Sequence, residues 1–260
     1  MFGVVPRVLW EKTNPADSKN LCNWAMRCML IEDGNRLILV DTGIGDKQDE
    51  KFFSHFHLNG DVTLEKSLAS LGFHCNDITD VLLTHLHFDH VGGAVKRDSG
   101  KFALTFPNAK YWSNQKHWDW ALSPNEREKA SFLSENMMPI KELGHLNFIK
   151  KGDELGGNIE LLLVDGHTEQ QMIPIISCNG KKIAFCADLI PSVGHLKIPY
   201  IPSYDVRPLL TMQEKHKFLS RVINEDILLF FEHDAYNECC SLVKREKKVK
   251  LEKTFKLNEI

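Results

Sequence analysis

The sequence predicts an α/β protein, a four-layer αββα sandwich of two similar halves, in a single domain over residues 1–260. Three observations predict it. Short apolar runs recur along the chain, and each ends at once in a polar cluster. Helical patterns fill gaps between the runs. The order of segments also reads as two halves: strands, a helix and a strand–loop–helix, then strands, a helix and a strand.

The apolar runs come in chain order. "RLILVDTGIGD" ends in Asp41, and "VLLTHLHFDH" ends in His85, His87, Asp89 and His90. "IELLLVDGHTEQ" ends in Asp165, Gly166 and His167, "KKIAFCADLIP" in Asp188, and "DILLFFEHDA" in His233. Runs of this length bounded by turn signals read as buried strands. Polar residues at strand ends are where layered α/β folds build sites, and all five ends are expected to converge on one edge of a sheet. Between the strands, Leu64, Leu68 and Leu71 fall at helical spacing over 62–71, with Gly72 as the stop. Met212, Leu219, Val222 and Ile223 share one face over 212–223, and Thr211 with Glu214 forms a capping box there. "YWSNQKHWDWAL" (111–122) turns helical towards its end, and "KREKKVKLEK" (244–253) reads as an edge strand protected by lysines.

Composition narrows the function. With 43% hydrophobic and 26% charged residues and a net charge of −3, the chain can bury a core and offers no nucleic-acid surface. No apolar run approaches the ~20 residues a membrane helix needs. "MFGVVPRVLW" has no basic segment ahead of apolar residues, and none of the seven cysteines forms a CxxC pair. A reduced, cytoplasmic protein is expected.

Of twelve histidines, His55, His57, His74, His117, His145 and His216 show no partner pattern and read as surface or core residues. The cluster at 85–90 differs. In an extended segment residues i and i+2 point the same way, so His85 and His87 can share a metal. Asp89 and His90 are neighbours and point apart, so two metals side by side accommodate all four side chains. Neutral imidazole and carboxylate suit zinc, and also iron or manganese. The competing reading is a solvated histidine turn.

His85-Leu-His-Phe-Asp-His90 resembles the HxHxDH signature of the metallo-β-lactamase superfamily. Asp41–Gly43, "DGHTEQ", "FCADLIP" and "FFEHD" are similar to its other motifs, in the family's order over about residues 30–240. The resemblance implies the metallo-β-lactamase fold and two Zn2+ per chain, with Fe or Mn as alternatives. It implies His85, His87 and His167 around one metal, Asp89, His90 and His233 around the other, and Asp188 bridging them. Asp41 would lie behind the ligands, accepting an imidazole N–H, or else be a turn residue before Gly43.

The implied chemistry is hydrolysis by a metal-bridging hydroxide, since metal lowers the pKa of bound water to ~7. Asp89, His195 and Tyr204 are the candidate catalytic residues, the last two as donors to the leaving group. Asp188 stands where secreted antibiotic-degrading members carry Cys, and 27 residues follow His233, too few for the helical extension of glyoxalase II-type members. A flavodoxin domain and a nuclease-type arm do not fit the length or charge. What remains resembles lactonase-like and organophosphate-hydrolase-like members acting on a small ester, lactone or thioester. The alternatives are a phosphoryl-ester hydrolase, or a non-hydrolytic iron-binding redox or sensor protein. The expected partner is a small-molecule substrate. Trp10, Trp24, Phe52, Phe53 and Phe56 either line the substrate mouth, meet at a homodimer contact of the kind related hydrolases form, or are ordinary core and surface aromatics.

Overall fold

The computed structural model describes residues 1–150, 155–246 and 248–260. They form two compact units, Cys28–Glu154 and a second made of Met1–Arg27 with Leu155–Ile260.

The unit Cys28–Glu154 contains β1 (Met29–Asp33), β2 (Arg36–Val40), β3 (Asp80–Leu82), β4 (Val95–Asp98), β5 (Lys101–Leu104), β6 (Lys110–Ser113) and β7 (Leu146–Phe148). One sheet has the order β1-β2-β3-β6-β7, and β4 and β5 form a separate hairpin. Within the five-stranded sheet, β1 and β2 pair antiparallel, across a turn in which Gly34 takes a left-handed φ of 61°. The pairings β2–β3, β3–β6 and β6–β7 are parallel. Parallel strands are covered on both faces, which explains the apolar runs of β2 and β3. Leu39, Val81, Leu83, Leu86, Phe106, Tyr111, Trp118 and Ile140 are buried in one cluster. Thr63 caps the helix Leu64–Ser70 by accepting from the Lys66 N–H, and Leu68 is its buried residue. Asn114 caps the helix Gln115–Leu122 through the His117 N–H, so "YWSNQKHWDWAL" is β6 followed by a helix, as its pattern predicts.

The second unit contains β8 (Ile159–Val164), β9 (Gln171–Cys178), β10 (Lys181–Phe185), β11 (Ile227–Phe230), β12 (Cys239–Arg245) and β13 (Lys248–Phe255), in the sheet order β13-β12-β11-β10-β9-β8. β10 and β11 are parallel, and the helix Pro208–Asn224 lies in the crossover between them. β8 and β10 both run antiparallel to β9, so β8, β10 and β11 all end at the same edge of this sheet. β13 is an edge strand, and its exposed Lys248, Lys250 and Lys253 discourage further strand pairing. Lys247, within the basic stretch, lies outside the described residues.

Two expectations are corrected. The five polar strand ends belong to two sheets, because Asp41 and His85 follow β2 and β3 whereas His167, Asp188 and His233 follow β8, β10 and β11. The helix predicted from 212 begins at Pro208, whose fixed φ suits the first helical turn. Thr211 and Glu214 therefore lie inside it and form no capping box. Among the described residues, no helix is long and apolar enough to cross a membrane.

Candidate metal centre

In the unit Cys28–Glu154, the ends of β2 and β3 hold five of the expected residues. Asp41, in a left-handed conformation (φ 57°), is fully buried. Its carboxylate accepts from the Thr84 backbone N–H at 2.7 Å and the Thr84 hydroxyl at 2.6 Å, and lies 3.0 Å from His90 Nδ1. A carboxylate in this position only accepts, so the His90 proton sits on Nδ1 and Nε2 keeps its lone pair. The Thr84 hydroxyl directs its one O–H to Asp41, so towards His85 Nδ1, 3.1 Å away, it accepts. His85 Nε2 then faces His87 Nδ1 at 3.1 Å. That separation suits two nitrogens on one cation with bonds of about 2.0–2.1 Å. Asp89 Oδ1 lies 3.8 Å from His90 Nε2.

The backbone beneath is closely built. The Leu86 N–H donates to Nε2 of buried His117 at 2.8 Å, so His117, without a pattern in the sequence, supports the peptide between two candidate ligands. Thr42 N–H and hydroxyl both donate to the His90 carbonyl, and Gly93 N–H donates to the Gly43 carbonyl. A Cβ on Gly92 would stand 2.1 Å from the Ile44 carbonyl oxygen, and one on Gly93 would stand 2.2 Å from that of Thr42. Only glycine permits this approach of the two strand-end loops.

The second unit carries the other expected ligands. Glu214 accepts from the backbone N–H groups of Asp165 and Gly166 at 2.7 and 2.9 Å, fixing the loop after β8. His167 Nδ1 lies 2.9 Å from Asp205 Oδ1, and Asp205 Oδ2 accepts from the Thr211 hydroxyl at 2.7 Å. His233 Nδ1 donates to the Ala25 carbonyl at 2.7 Å, and the Trp24 ring stacks on His233 at 5.3 Å. Both imidazoles thus commit their Nδ1 proton and turn Nε2 to Asp188, whose Oδ2 is 3.1 Å from His167 and Oδ1 is 2.9 Å from His233. Lone pair meets lone pair at both oxygens of one buried carboxylate. Such a pair of encounters calls for two positive charges, as protons or as metal ions, and the donor set fits divalent metal.

The two expected leaving-group donors separate. Tyr204 is 41% exposed, with its ring edge 5.8 Å from His167. His195 is fully buried, with Nδ1 2.8 Å from the Ser192 hydroxyl and Nε2 donating to the Met1 carbonyl. Phe2 stacks on it at 4.2 Å, and burial holds its pKa down to about 3. Nδ1 is engaged by Ser192 of its own loop and Nε2 by the N-terminal segment, so His195 offers no proton to a substrate. Sequence reasoning missed Thr84, Asp205 and the Ala25 carbonyl. Thr84 directly precedes His85 but a threonine carries no ligand signal, Asp205 lies far along the chain from His167, and a carbonyl carries no side-chain signal at all.

Comparison with known proteins agrees with this chemistry. The model of the metallo-beta-lactamase superfamily matches residues 27–222. A probable metal-dependent hydrolase from Staphylococcus aureus superposes with a TM-score of 0.88 and 26% identity, covering 98% of this chain and 90% of that one. An N-acyl homoserine lactonase of Bacillus thuringiensis is 25% identical over 231 residues, 84% of each chain. The fold is also shared with AidC, a dizinc quorum-quenching lactonase (TM-score 0.73, 24% identity, 88% of this chain and 79% of that one). The chain belongs to the metallo-β-lactamase superfamily and has its fold. It is a metal-dependent hydrolase.

Proposed function

We propose that the protein hydrolyses a small ester, lactone or thioester with two divalent metal ions, zinc being the first candidate. His85, His87 and His167 would hold one, Asp89, His90 and His233 the other, with Asp188 shared. The observation that carries this reading is the Asp188 carboxylate, each oxygen of which faces the lone pair of a different anchored imidazole. When bound, such a pair acidifies water to near-neutral pKa and polarises a carbonyl oxygen.

The chain's own residues supply the rest. Asp41, Thr84, Asp205 and the Ala25 carbonyl hold imidazole orientation and tautomer before any metal arrives. Tyr204 is the O–H donor proposed for the substrate or its leaving group. An ester is favoured by an apolar feature next to the ligands. Phe88 stands between His87 and Asp89, its ring 5.4 Å from Phe52 and 4.8 Å from half-exposed Phe56. This aromatic cluster suits the acyl or aryl part of a neutral substrate, and the lactonase relative supports a lactone among the candidates.

The test is a panel of lactones, thioesters, aryl esters and phosphotriesters, read by acid or nitrophenolate release, on protein of measured metal content. Carboxylic ester or lactone turnover is expected, abolished by chelation and restored by zinc or manganese. His87→Ala is expected to lose metal and at least 100-fold of the rate, on the order of an entire metal ligand's effect. Turnover by a fully metal-free preparation would overturn the reading. Activity confined to phosphotriesters would replace it with phosphoryl-ester hydrolysis.

A further inference from the structure

We propose that Glu128, outside every motif of the sequence, is the positioning residue that makes His87 a metal ligand. This rests on the dinuclear reading above. Glu128 is 2% exposed, in the segment between the helices Gln115–Leu122 and Ser134–Glu142. Its Oε2 accepts from the Trp120 indole N–H at 2.8 Å and from the Asn125 amide at 2.7 Å. Its own backbone N–H approaches Asn125 Oδ1 at 3.2 Å. The carboxylate is therefore fixed from one side, and its other oxygen, Oε1, lies 3.5 Å from His87 Nε2, an electrostatic contact longer than an ordinary hydrogen bond.

The consequence follows from proton placement. A neutral imidazole carries one N–H, and a facing carboxylate holds it on the near nitrogen. Glu128 thereby favours the tautomer with the His87 proton on Nε2 over the competing one, in which Nδ1 donates to His85 Nε2 at 3.1 Å. Nδ1, the nitrogen 3.1 Å from His85 Nε2, is left with a lone pair. Phe132, with its ring 4.8 Å from His87, limits the rotation that would exchange the two nitrogens. Without the carboxylate, the proton is free to move to Nδ1, where it blocks coordination.

Glu128→Gln tests this with little change of shape. The carbonyl of the introduced amide can keep the Trp120 and Asn125 donors, which turns its NH₂ towards His87 Nε2. That nitrogen must then accept, and the His87 proton is driven to Nδ1. Zinc affinity, measured by competition with a chromogenic chelator, is expected to fall about 10–100-fold at one of two sites. The melting temperature of the metal-free protein is expected to stay near that of the parent. In the zinc-loaded parent, ¹⁵N NMR is expected to show His87 protonated at Nε2 with Nδ1 freed for the metal, and the variant at the same zinc concentration is expected to lose that tautomer signature. A residue that only anchored Trp120 and Asn125 would leave zinc affinity and the tautomer unchanged in Glu128→Gln, and that result overturns the proposal. If the variant fails to fold, Asn125→Ala replaces it. Loosening the carboxylate is expected to lower zinc affinity several-fold, and unchanged affinity again overturns the proposal. A parent protein that binds no metal would instead sink the dinuclear reading beneath it. Metal binding that depends on His87 but not on Glu128 removes this inference alone.

Discussion

At the scale of single residues, the candidate imidazoles were legible and their supports were not. His85, His87 and His90 announce themselves by crowding, whereas Thr84 and Asp205 act through hydrogen bonds from positions no periodicity marks. His195 shows the converse. Its place in a proline-rich loop after Asp188 suggests a proton donor, but its burial against Phe2 makes it a packing residue. Its titration gives a prediction. The folded chain holds His195 neutral down to about pH 3, while the unfolded chain protonates it near the ordinary 6.5. Between those values the unfolded state binds the extra proton, so stability falls as pH drops from 6.5 towards 3, at up to about 1.4 kcal/mol per pH unit. In His195→Leu, urea midpoints of metal-free protein are expected to show a pH slope shallower by one proton across that window.

At the scale of elements, strand identity was readable because buried parallel strands need apolar runs, as in the "LILV" of β2 and the "VLL" that follows Asp80. Which sheet each strand joined was not, since pairing partners are set by long-range packing rather than by local pattern. The helix Pro208–Asn224 is legible from its apolar face, but its start is not, because Thr211 and Glu214 mimic a cap. In the fold these two side chains serve the loop before His167 and its support Asp205. The contact of the loops after β2 and β3 belongs to this scale too. Gly92→Ala forces a Cβ onto the Ile44 backbone, and a destabilisation of about 1–3 kcal/mol is expected from overpacking alone. Equilibrium urea unfolding measures it, and a loss of zinc affinity should accompany it because His90 lies two residues away.

At the scale of the whole molecule, the order of motifs identified the family, yet the composition of the two units was hidden. Nothing in Met1–Arg27 advertises that it groups with Leu155–Ile260, since the links are Phe2 on His195, Trp24 on His233 and the Ala25 carbonyl on its Nδ1. A cation that binds only the folded chain adds stability by mass action, about 2.7 kcal/mol at a hundred times its dissociation constant. For a chain of this size that amounts to several degrees of melting temperature. Differential scanning calorimetry is expected to show the midpoint rising with zinc and falling with chelator, with a smaller rise in His87→Ala.

The glycine-mediated interlock of residues 42–45 with 92–93 also sets where new specificity can be evolved. Libraries that diversify these loops will mostly yield unfolded clones, because main chain abuts main chain and no side-chain trimming relieves the collision. The half-exposed Phe56 ring carries no such constraint, and it is a position that can be randomised without that collision.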